Sequence, residues 1–157
     1  HLREFAKSII ETINQSIEEM RIGMAIGWDQ AVAHACKDLG VTYDAYVPFE
    51  GQHTKWPTST WDEYFELLNA ARKVVVCSPG NYAAWKMAER NLRMLDGPLE
   101  NPKPAARVLA LWNGESRSIR KSGTSHTVAH ASMRGYTVVN CWSMWEVVRK
   151  ELLDERD

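Results

Sequence analysis

Apolar residues recur at intervals of three and four positions through the N-terminal segment of the chain. They are Leu2, Phe5, Ile9, Ile13, Ile17 and Met20, with charged and polar residues between them. This spacing predicts an amphipathic helix that extends to Met20. A short apolar run from Arg21 to Ile26 then ends at Gly27, and Asp29 opens a second helical pattern that stops at Gly40. This first part of the chain therefore predicts a helix, a strand, a turn and a second helix.

The same alternation continues to the C-terminal end. The predicted strands are 42–49, 73–77, 107–112 and 136–141, and the predicted helices are 58–71, 81–95, 124–134 and 143–155. The strands are nearly continuous apolar runs, which is typical of strands buried on both faces. Their regular alternation with helices predicts an α/β protein with a three-layer, Rossmann-like, doubly wound and mainly parallel sheet. We treat residues 1–157 as a single domain, because the nearest candidate for a linker is the short loop 97–104.

A doubly wound fold usually begins with a strand, whereas this chain begins inside a helical pattern at His1. Two explanations stay open. Either a first strand is missing before residue 1, or His1 is the remnant of a tag.

Composition and charge narrow the classes of function. The 157 residues are 45% hydrophobic, and 19 basic against 20 acidic side chains leave a net charge of -1, which argues against nucleic acid as a partner. Cys36, Cys77 and Cys141 are widely spaced within apolar runs, which is typical of reduced thiols and favours a cytoplasmic protein. No apolar run reaches the roughly twenty residues that span a bilayer, so we expect no membrane partner. Neither a metal nor a cofactor is predicted.

Ligands bind beyond the carboxyl ends of the strands in an open parallel sheet, so polar residues there are candidate site residues. After the first strand come Gly27, Trp28 and Asp29. The glycine allows a tight turn, and Asp29 either caps its helix or holds a ribose hydroxyl. Phe49 and Trp56 lie in the loop after the second strand, where each would stack on a base or belong to the core.

The helix after the third strand carries adjacent polar residues among apolar ones. Ser78 follows that strand, and Arg90 and Asn91 lie in the helix. An arginine at this place would either fork onto a phosphate or carboxylate, or form a surface salt bridge.

The sharpest local signal follows the fourth strand. Asn113 lies at its end, and a run of small and hydroxyl residues opens the next helix: Ser122, Gly123, Thr124 and Ser125. Backbone N–H groups at a helix N-terminus and the helix dipole favour an anion, and hydroxyls add donors. Serine and threonine are also ordinary helix caps, but the position after a strand favours a phosphate site.

Four short motifs, in this order along nearly the whole chain, resemble the SLOG superfamily. They are Gly27-Trp28-Asp29, Val47-Pro48-Phe49 with Gln52 and Trp56, Arg90-Asn91 with Met94 and Asp96, and Ser122-Gly123-Thr124. SLOG members have a G-x-D turn after a strand, a v-P-f loop with a following tryptophan, an R-N-x-x-M-x-D helix and a G-G-T turn. The likeness is greatest to small stand-alone bacterial and phage members.

The resemblance implies a Rossmann-like domain, with a first strand before His1, that binds nucleotide-derived ligands through the G-G-T turn. Related Lonely Guy phosphoribohydrolases cleave the base from a nucleoside monophosphate with an arginine, which Arg90 matches, and a glutamate. Thr127 occupies that glutamate's position, and Ser122 replaces the first glycine. Cleavage would therefore need a carboxylate from elsewhere, such as Asp29 or Glu50.

We expect a protein that binds a nucleotide or an NAD- or ADP-ribose-derived ligand. The Ser122–Ser125 turn would hold phosphate, Arg90 and Asn91 would reach a second phosphate or the ribose, and Asp29 would take a ribose hydroxyl. The aromatic candidates for the base are Trp28, Phe49 and Trp56.

Two alternatives remain. One is a nucleotide N-glycosidase or phosphoribohydrolase that uses Arg90, Asp29 and Glu50. The other is a non-catalytic interaction protein with a degenerate site. Trp142 and Trp145 on the last helix would suit the interface of a homo-oligomer, although core burial explains them equally well.

Overall fold

The computed structural model describes residues 1–114 and 123–156. Its helices are α1 (Leu2–Ile13), α2 (Trp28–Leu39), α3 (Trp61–Ala70), α4 (Ala84–Asp96), α5 (Gly123–Met133) and α6 (Trp142–Asp154), with 3-10 turns at Asn14–Ser16 and Thr58–Thr60. Its strands are β1 (Arg21–Ile22), β2 (Asp44–Val47), β3 (Lys73–Val76), β4 (Arg107–Ala110) and β5 (Thr137–Asn140). Every strand pair is parallel, so the predicted α/β class is confirmed.

The strands are hydrogen-bonded in two sheets, β1-β2-β3 and β4-β5, whereas the sequence predicts one sheet. The chain also groups into two compact units, His1–Met94 and Leu95–Asp157. The first unit holds β1, β2 and β3, and the second holds β4 and β5. Each unit is described by itself below.

Helix α1 ends at Ile13, well before Met20, where the apolar spacing predicts its end. After Ile13, polar residues replace the regular helical hydrogen bonds. The Ser16 hydroxyl donates to the Ile13 carbonyl at 2.8 Å, and Asn14–Ser16 form a 3-10 turn. Serine and asparagine compete with helical backbone bonds in this way, so the chain leaves the helix although Ile17 and Met20 keep the apolar spacing.

Strand β1 is only two residues long, because the backbone turns directly after it. Met24 has a φ of 64°, a left-handed conformation that ends the extended run predicted to reach Ile26. The turn leaves Gly23 at the carboxyl end of β1.

Strand β2 is the centre of the first sheet, and all four of its residues are buried. One of them is Asp44, whose carboxylate accepts from Arg72 Nε at 2.9 Å and Nη2 at 2.6 Å. This two-bond pairing satisfies a charge inside the core. The prediction that the strands are buried on both faces is thus confirmed for β2. It is wrong for the edge strand β3, where Val74 is 44% and Val76 is 48% exposed.

In the second unit, the side chain of Asn140 extends the pairing of β4 with β5. Its amide donates to the Trp112 carbonyl at 2.8 Å, and its oxygen accepts from the Trp112 N–H at 3.1 Å. Asp96 accepts from the Tyr136 hydroxyl at 2.6 Å and pairs with Arg134. These contacts hold the start of the unit against the segment that leads into β5.

A chain of polar side chains joins the first three helices. Arg3 of α1 donates to His34 Nδ1 of α2 at 3.0 Å, and His34 Nε2 bonds to Glu63 of α3. A guanidinium can only donate, so Nδ1 must accept and Nε2 must carry the hydrogen. The buried imidazole therefore has a partner on each ring nitrogen.

We expect His34→Ala to lower the free energy of unfolding by about 2–3 kcal/mol, because it leaves both partners of a buried group without their hydrogen bonds. His34→Gln keeps an acceptor and a donor and should lose less than half as much. Urea unfolding followed by circular dichroism measures both values. Equal losses for the two variants would contradict the hydrogen-bonded role.

Candidate functional site

Three residues meet at the carboxyl end of β1: Gly23, Asp29 of α2 and Arg90 of α4. Arg90 is 7% exposed, although it is an arginine. Its Nη1 donates to the Gly23 carbonyl and, at 3.4 Å, to the Tyr46 carbonyl of β2, while its Nε donates to Asn91 Oδ1 at 2.9 Å. The guanidinium therefore joins the ends of two strands to α4.

Gly23 provides the space in which the two charges come together. A Cβ atom at this position would lie 3.0 Å from Arg90 Nη1 and 3.0 Å from Asp29 Oδ2. Real Cβ contacts are almost never closer than this, so both charged groups would have to move. The glycine is needed here for close approach, which is one of the uses of glycine near ligand sites.

Asp29 lies in the first turn of α2, directly after Gly27, whose φ is 104°. Its Oδ2 accepts from the Ala25 N–H at 3.2 Å. Burial raises the pKa of Asp29, and the Arg90 guanidinium and the Ala25 N–H oppose this rise. Burial likewise lowers the pKa of Arg90, and Asp29 opposes that change. Desolvation is the larger effect for both groups, so the folded chain holds both charges at a cost in stability.

Gln52 and Tyr64 form a second layer behind this cluster. Gln52 Nε2 donates to the Gly23 carbonyl at 3.2 Å, and its Oε1 accepts from the Tyr64 hydroxyl at 3.1 Å. Burial raises the pKa of Tyr64 to about 12, so the hydroxyl stays a donor at neutral pH. The loop after β2 is thereby fixed against the end of β1.

The three aromatic candidates for the base are packed against neighbouring rings. Trp28 contacts Phe5 at a centroid distance of 5.9 Å, and Trp56 contacts Tyr64 edge-on at 5.2 Å. Phe49 is only 4% exposed, so it packs in the core, which is the alternative that the sequence leaves open for it. Its edge-on neighbour at 5.9 Å is Tyr82, which is half exposed.

The predicted residues Ser78 and Glu50 differ in burial. Ser78 is buried, and its N–H donates to the Pro48 carbonyl at 3.2 Å. Glu50 is exposed in the turn after β2, whereas Asp29 is half-buried beside the buried Arg90. Asp29 is therefore the better placed of the two predicted carboxylates.

In the second unit, α5 begins at Gly123, as the motif predicts. Thr124 is exposed and Ser125 is buried, while Ser122 lies outside the described residues. Asn113 is exposed after β4. Thr124 is thus accessible in the first turn of a helix, the place where an anion gains from the backbone N–H groups.

Sequence reasoning missed Gly23, Lys86 and Tyr82 as residues that shape this region. Lys86 is 6% exposed, and its ammonium donates to the Pro79 and Asn81 carbonyls, both at 2.5 Å. A buried lysine in a helix has no distinct spacing, and Gly23 lies inside an apolar run. Tyr82 falls within the helix that the sequence predicts from residue 81, whereas α4 begins only at Ala84 and leaves Tyr82 in the loop before it.

Other chemistry is sparse. Among residues 1–114 and 123–156, no three His, Cys, Asp or Glu side chains are grouped closely enough to hold a metal ion. All three cysteines are free thiols, and burial raises the pKa of Cys77 to about 11, so it is a poor nucleophile. None of the helices in the described parts of the chain is long and apolar enough to cross a membrane.

A groove of about 420 Å³ lies between the C-terminal ends of α1 and α2, with Asn14, Glu18, Leu39 and Thr42 in its lining. Its residues precede β1 and β2, so it opens at the amino edge of the sheet. Glu18 is its one ionisable side chain. At the carboxyl edge of the sheet, by contrast, the oppositely charged side chains of Asp29 and Arg90 lie close together.

We expect Gly23→Ala to lower the free energy of unfolding by about 1–3 kcal/mol, because its methyl group displaces Arg90 and Asp29. Gly51→Ala is the matched control, since its nearest contact would be an ordinary 3.5 Å to a Thr54 methyl carbon. That control should stay within about 0.5 kcal/mol of the parent. Equal effects of the two variants in urea unfolding would contradict close packing at Gly23.

We also expect Asp29→Asn to gain thermal stability relative to the parent as the pH rises from 3 to 7. A raised folded pKa means that the carboxyl stabilises the fold below its unfolded pKa, and that this contribution is lost as the pH rises through the folded value. Asparagine keeps the shape and the acceptor for Ala25 without the charge. Melting temperatures across this pH range measure the difference.

Asp38→Asn, at an exposed position of the same helix, controls for replacing a carboxylate by an amide in α2. A melting temperature of Asp29→Asn that falls relative to that of the parent as the pH rises would contradict the cost of burying Asp29.

Comparison with protein-family models finds none that matches this chain. Comparison with curated proteins also finds no match. The chemistry of the residues is therefore the basis on which a function is assigned.

Proposed function

We propose that this protein binds a nucleotide or an NAD- or ADP-ribose-derived ligand, and that Asp29 takes a ribose hydroxyl of that ligand. The observation that carries the proposal is the cluster at the end of β1, where the Asp29 carboxylate and the Arg90 guanidinium both lie against Gly23. A carboxylate beyond a strand end accepts ribose hydroxyls in nucleotide-binding α/β proteins.

The free-energy cost of desolvating Asp29 and Arg90 supports a role for them in binding. Desolvated charges seldom add to stability as much as apolar residues of similar size do, and perturbed ionisable groups concentrate at functional sites. The cluster also lies at the carboxyl edge of a parallel sheet, where ligands bind in such folds. Arg90 is held by three protein acceptors, so we assign it to fixing the strand ends and supplying positive potential.

The second unit, taken by itself, has a candidate phosphate site of its own. Thr124 is exposed at the start of α5, within the Ser-Gly-Thr sequence that resembles the SLOG phosphate turn. A helix N-terminus with hydroxyl donors favours phosphate oxygens. The resemblance and the local chemistry agree on the class of ligand.

A hydrolase is the second candidate, and the raised pKa of Asp29 favours it. A carboxyl with a raised pKa keeps its proton to a higher pH than an ordinary carboxyl does, which suits a general acid. In an N-glycosidase, the bond between the base and the anomeric carbon breaks, the base takes a proton and the hydroxyl of water joins that carbon.

A thermal-shift screen against AMP, NAD, ADP-ribose and cyclic ADP-ribose tests the proposal. A ligand at a hundred times its Kd adds about 2.7 kcal/mol to the free energy of unfolding, which raises the melting temperature measurably. Mass spectrometry of each mixture then separates binding from cleavage, because only a hydrolase releases free base. We expect a shift with intact ligand, and no shift with any of the four compounds would contradict the proposal.

Variants locate the ligand. Asp29→Asn should abolish the shift while the chain stays folded, and the control Asp38→Asn should keep it. Thr124→Glu tests the candidate phosphate site of the second unit separately, because a carboxylate at an exposed first-turn position repels phosphate. Unchanged affinity in Asp29→Asn would contradict the site in the first unit, and unchanged affinity in Thr124→Glu would contradict the candidate in the second.

A further inference from the structure

A half-exposed tyrosine lies beyond the carboxyl end of β3, between a buried ring and a lysine. Tyr82 is 50% exposed, with the Phe49 ring edge-on at 5.9 Å and an angle of 81°. The ammonium of Lys55 lies over the tyrosine ring, 4.0 Å from its centroid. We call Phe49, Lys55, Tyr82 and Lys86 the Tyr82 cluster. It combines an accessible aromatic surface with a positively charged side chain.

We propose that Tyr82 is the ring on which the base of the ligand stacks, and that Lys55 then leaves the ring and pairs with a phosphate of the same ligand. This inference rests on the proposed function and names the residues that recognise the base. The sequence offers Trp28, Phe49 and Trp56 for this role, but each of them is less exposed than Tyr82.

The Tyr82 ring is held in place before any ligand arrives. The Phe49 ring supports it from the core side, and Lys86 fixes the preceding segment through the carbonyls of Pro79 and Asn81. Lys86 also lies 5.9 Å from the Phe49 ring centroid. A surface that is already ordered loses little conformational entropy on binding.

Stacking of a base on the Tyr82 ring is stronger than the contact of the Lys55 ammonium with that ring, so a base can replace the lysine there. An exposed cation over an aromatic ring contributes about 0.5–1 kcal/mol, whereas a base stacked on an aromatic side chain contributes about 1–3 kcal/mol. A base therefore displaces the Lys55 ammonium. The released lysine has a long, flexible side chain and gains a charge-assisted hydrogen bond to phosphate.

The Tyr82 cluster and the Asp29 cluster lie at the same edge of the first sheet. Val47 and Val76 are partners in the β2–β3 register, so the loops that follow these strands start side by side. The loop after β2 contains both Lys55, which lies over Tyr82, and Gln52, which donates to the Gly23 carbonyl. One loop thus connects the proposed base site to the proposed ribose site.

The test compares AMP and GMP with ribose 5-phosphate, which has the sugar and the phosphate but no base. Affinities come from NMR titration of the whole chain, which reaches millimolar Kd values. Tyr82→Ala should weaken AMP and GMP about tenfold and leave ribose 5-phosphate unchanged. Tyr82→Phe keeps the ring and should retain parental affinity. Trp85→Ala removes a 61% exposed ring from α4 and is the matched control.

Lys55→Ala tests the phosphate contact, and it should weaken all three compounds to a similar degree. Unchanged binding of AMP and GMP in Tyr82→Ala, together with loss of binding in Asp29→Asn, would overturn the base site and leave the proposed function standing. Loss of affinity in Tyr82→Phe equal to that in Tyr82→Ala would also overturn it, because a hydroxyl contact would then replace stacking. If the parent binds none of the three compounds, the proposed function and this inference are both overturned.

Discussion

The first unit depends on one buried guanidinium. Arg90 of α4 donates to carbonyls at the ends of β1 and β2, and a glycine at the end of β1 makes room for it. Arg21 of β1 reinforces the arrangement, since it donates to the Met94 carbonyl near the C-terminal end of the same helix. Without Arg90, the Gly23 carbonyl would keep the Gln52 amide as a donor but lose its charged donor, and a buried acceptor that loses a donor costs more than an exposed hydrogen bond contributes.

The charge of Asp29 is tolerated at this position only because Arg90 lies beside it. A lone carboxylate at this depth would be protonated or expelled, and a lone guanidinium would face the same desolvation cost. Together the two charges are tolerated, yet burial still acts on the pKa of each more strongly than their mutual attraction does. A pair of this kind adds little to stability. Its location at the carboxyl edge of the sheet points to recognition of a polar ligand.

The sequence predicts the class of fold and the order of elements because helix and strand periods differ clearly in this chain. It fails where side chains override periodicity: Ile17 and Met20 keep the helical spacing, but Asn14–Ser16 have already left the helix. It also fails for β3, whose valines are apolar and yet exposed at a sheet edge.

The sequence predicts only those site residues that stand out from the pattern around them. Asp29 and Arg90 stand out as polar residues in apolar surroundings, so their positions carry a signal. Gly23 has no side chain and lies in an apolar run, and Tyr82 follows a glycine-containing turn that resembles a helix start. Their importance depends on neighbours that are distant in the sequence, namely Arg90 for Gly23 and Lys55 for Tyr82. Pattern alone does not reveal such contacts.

An NMR pH titration of the Asp29 carboxyl carbon, with and without saturating ADP-ribose, tests the role of this residue most directly. We expect a pKa above the ordinary range of aspartate in the free chain, and a shifted carboxyl resonance in the bound chain. An ordinary or lowered pKa, or a resonance that ADP-ribose leaves in place, would contradict a buried carboxylate that serves the ligand.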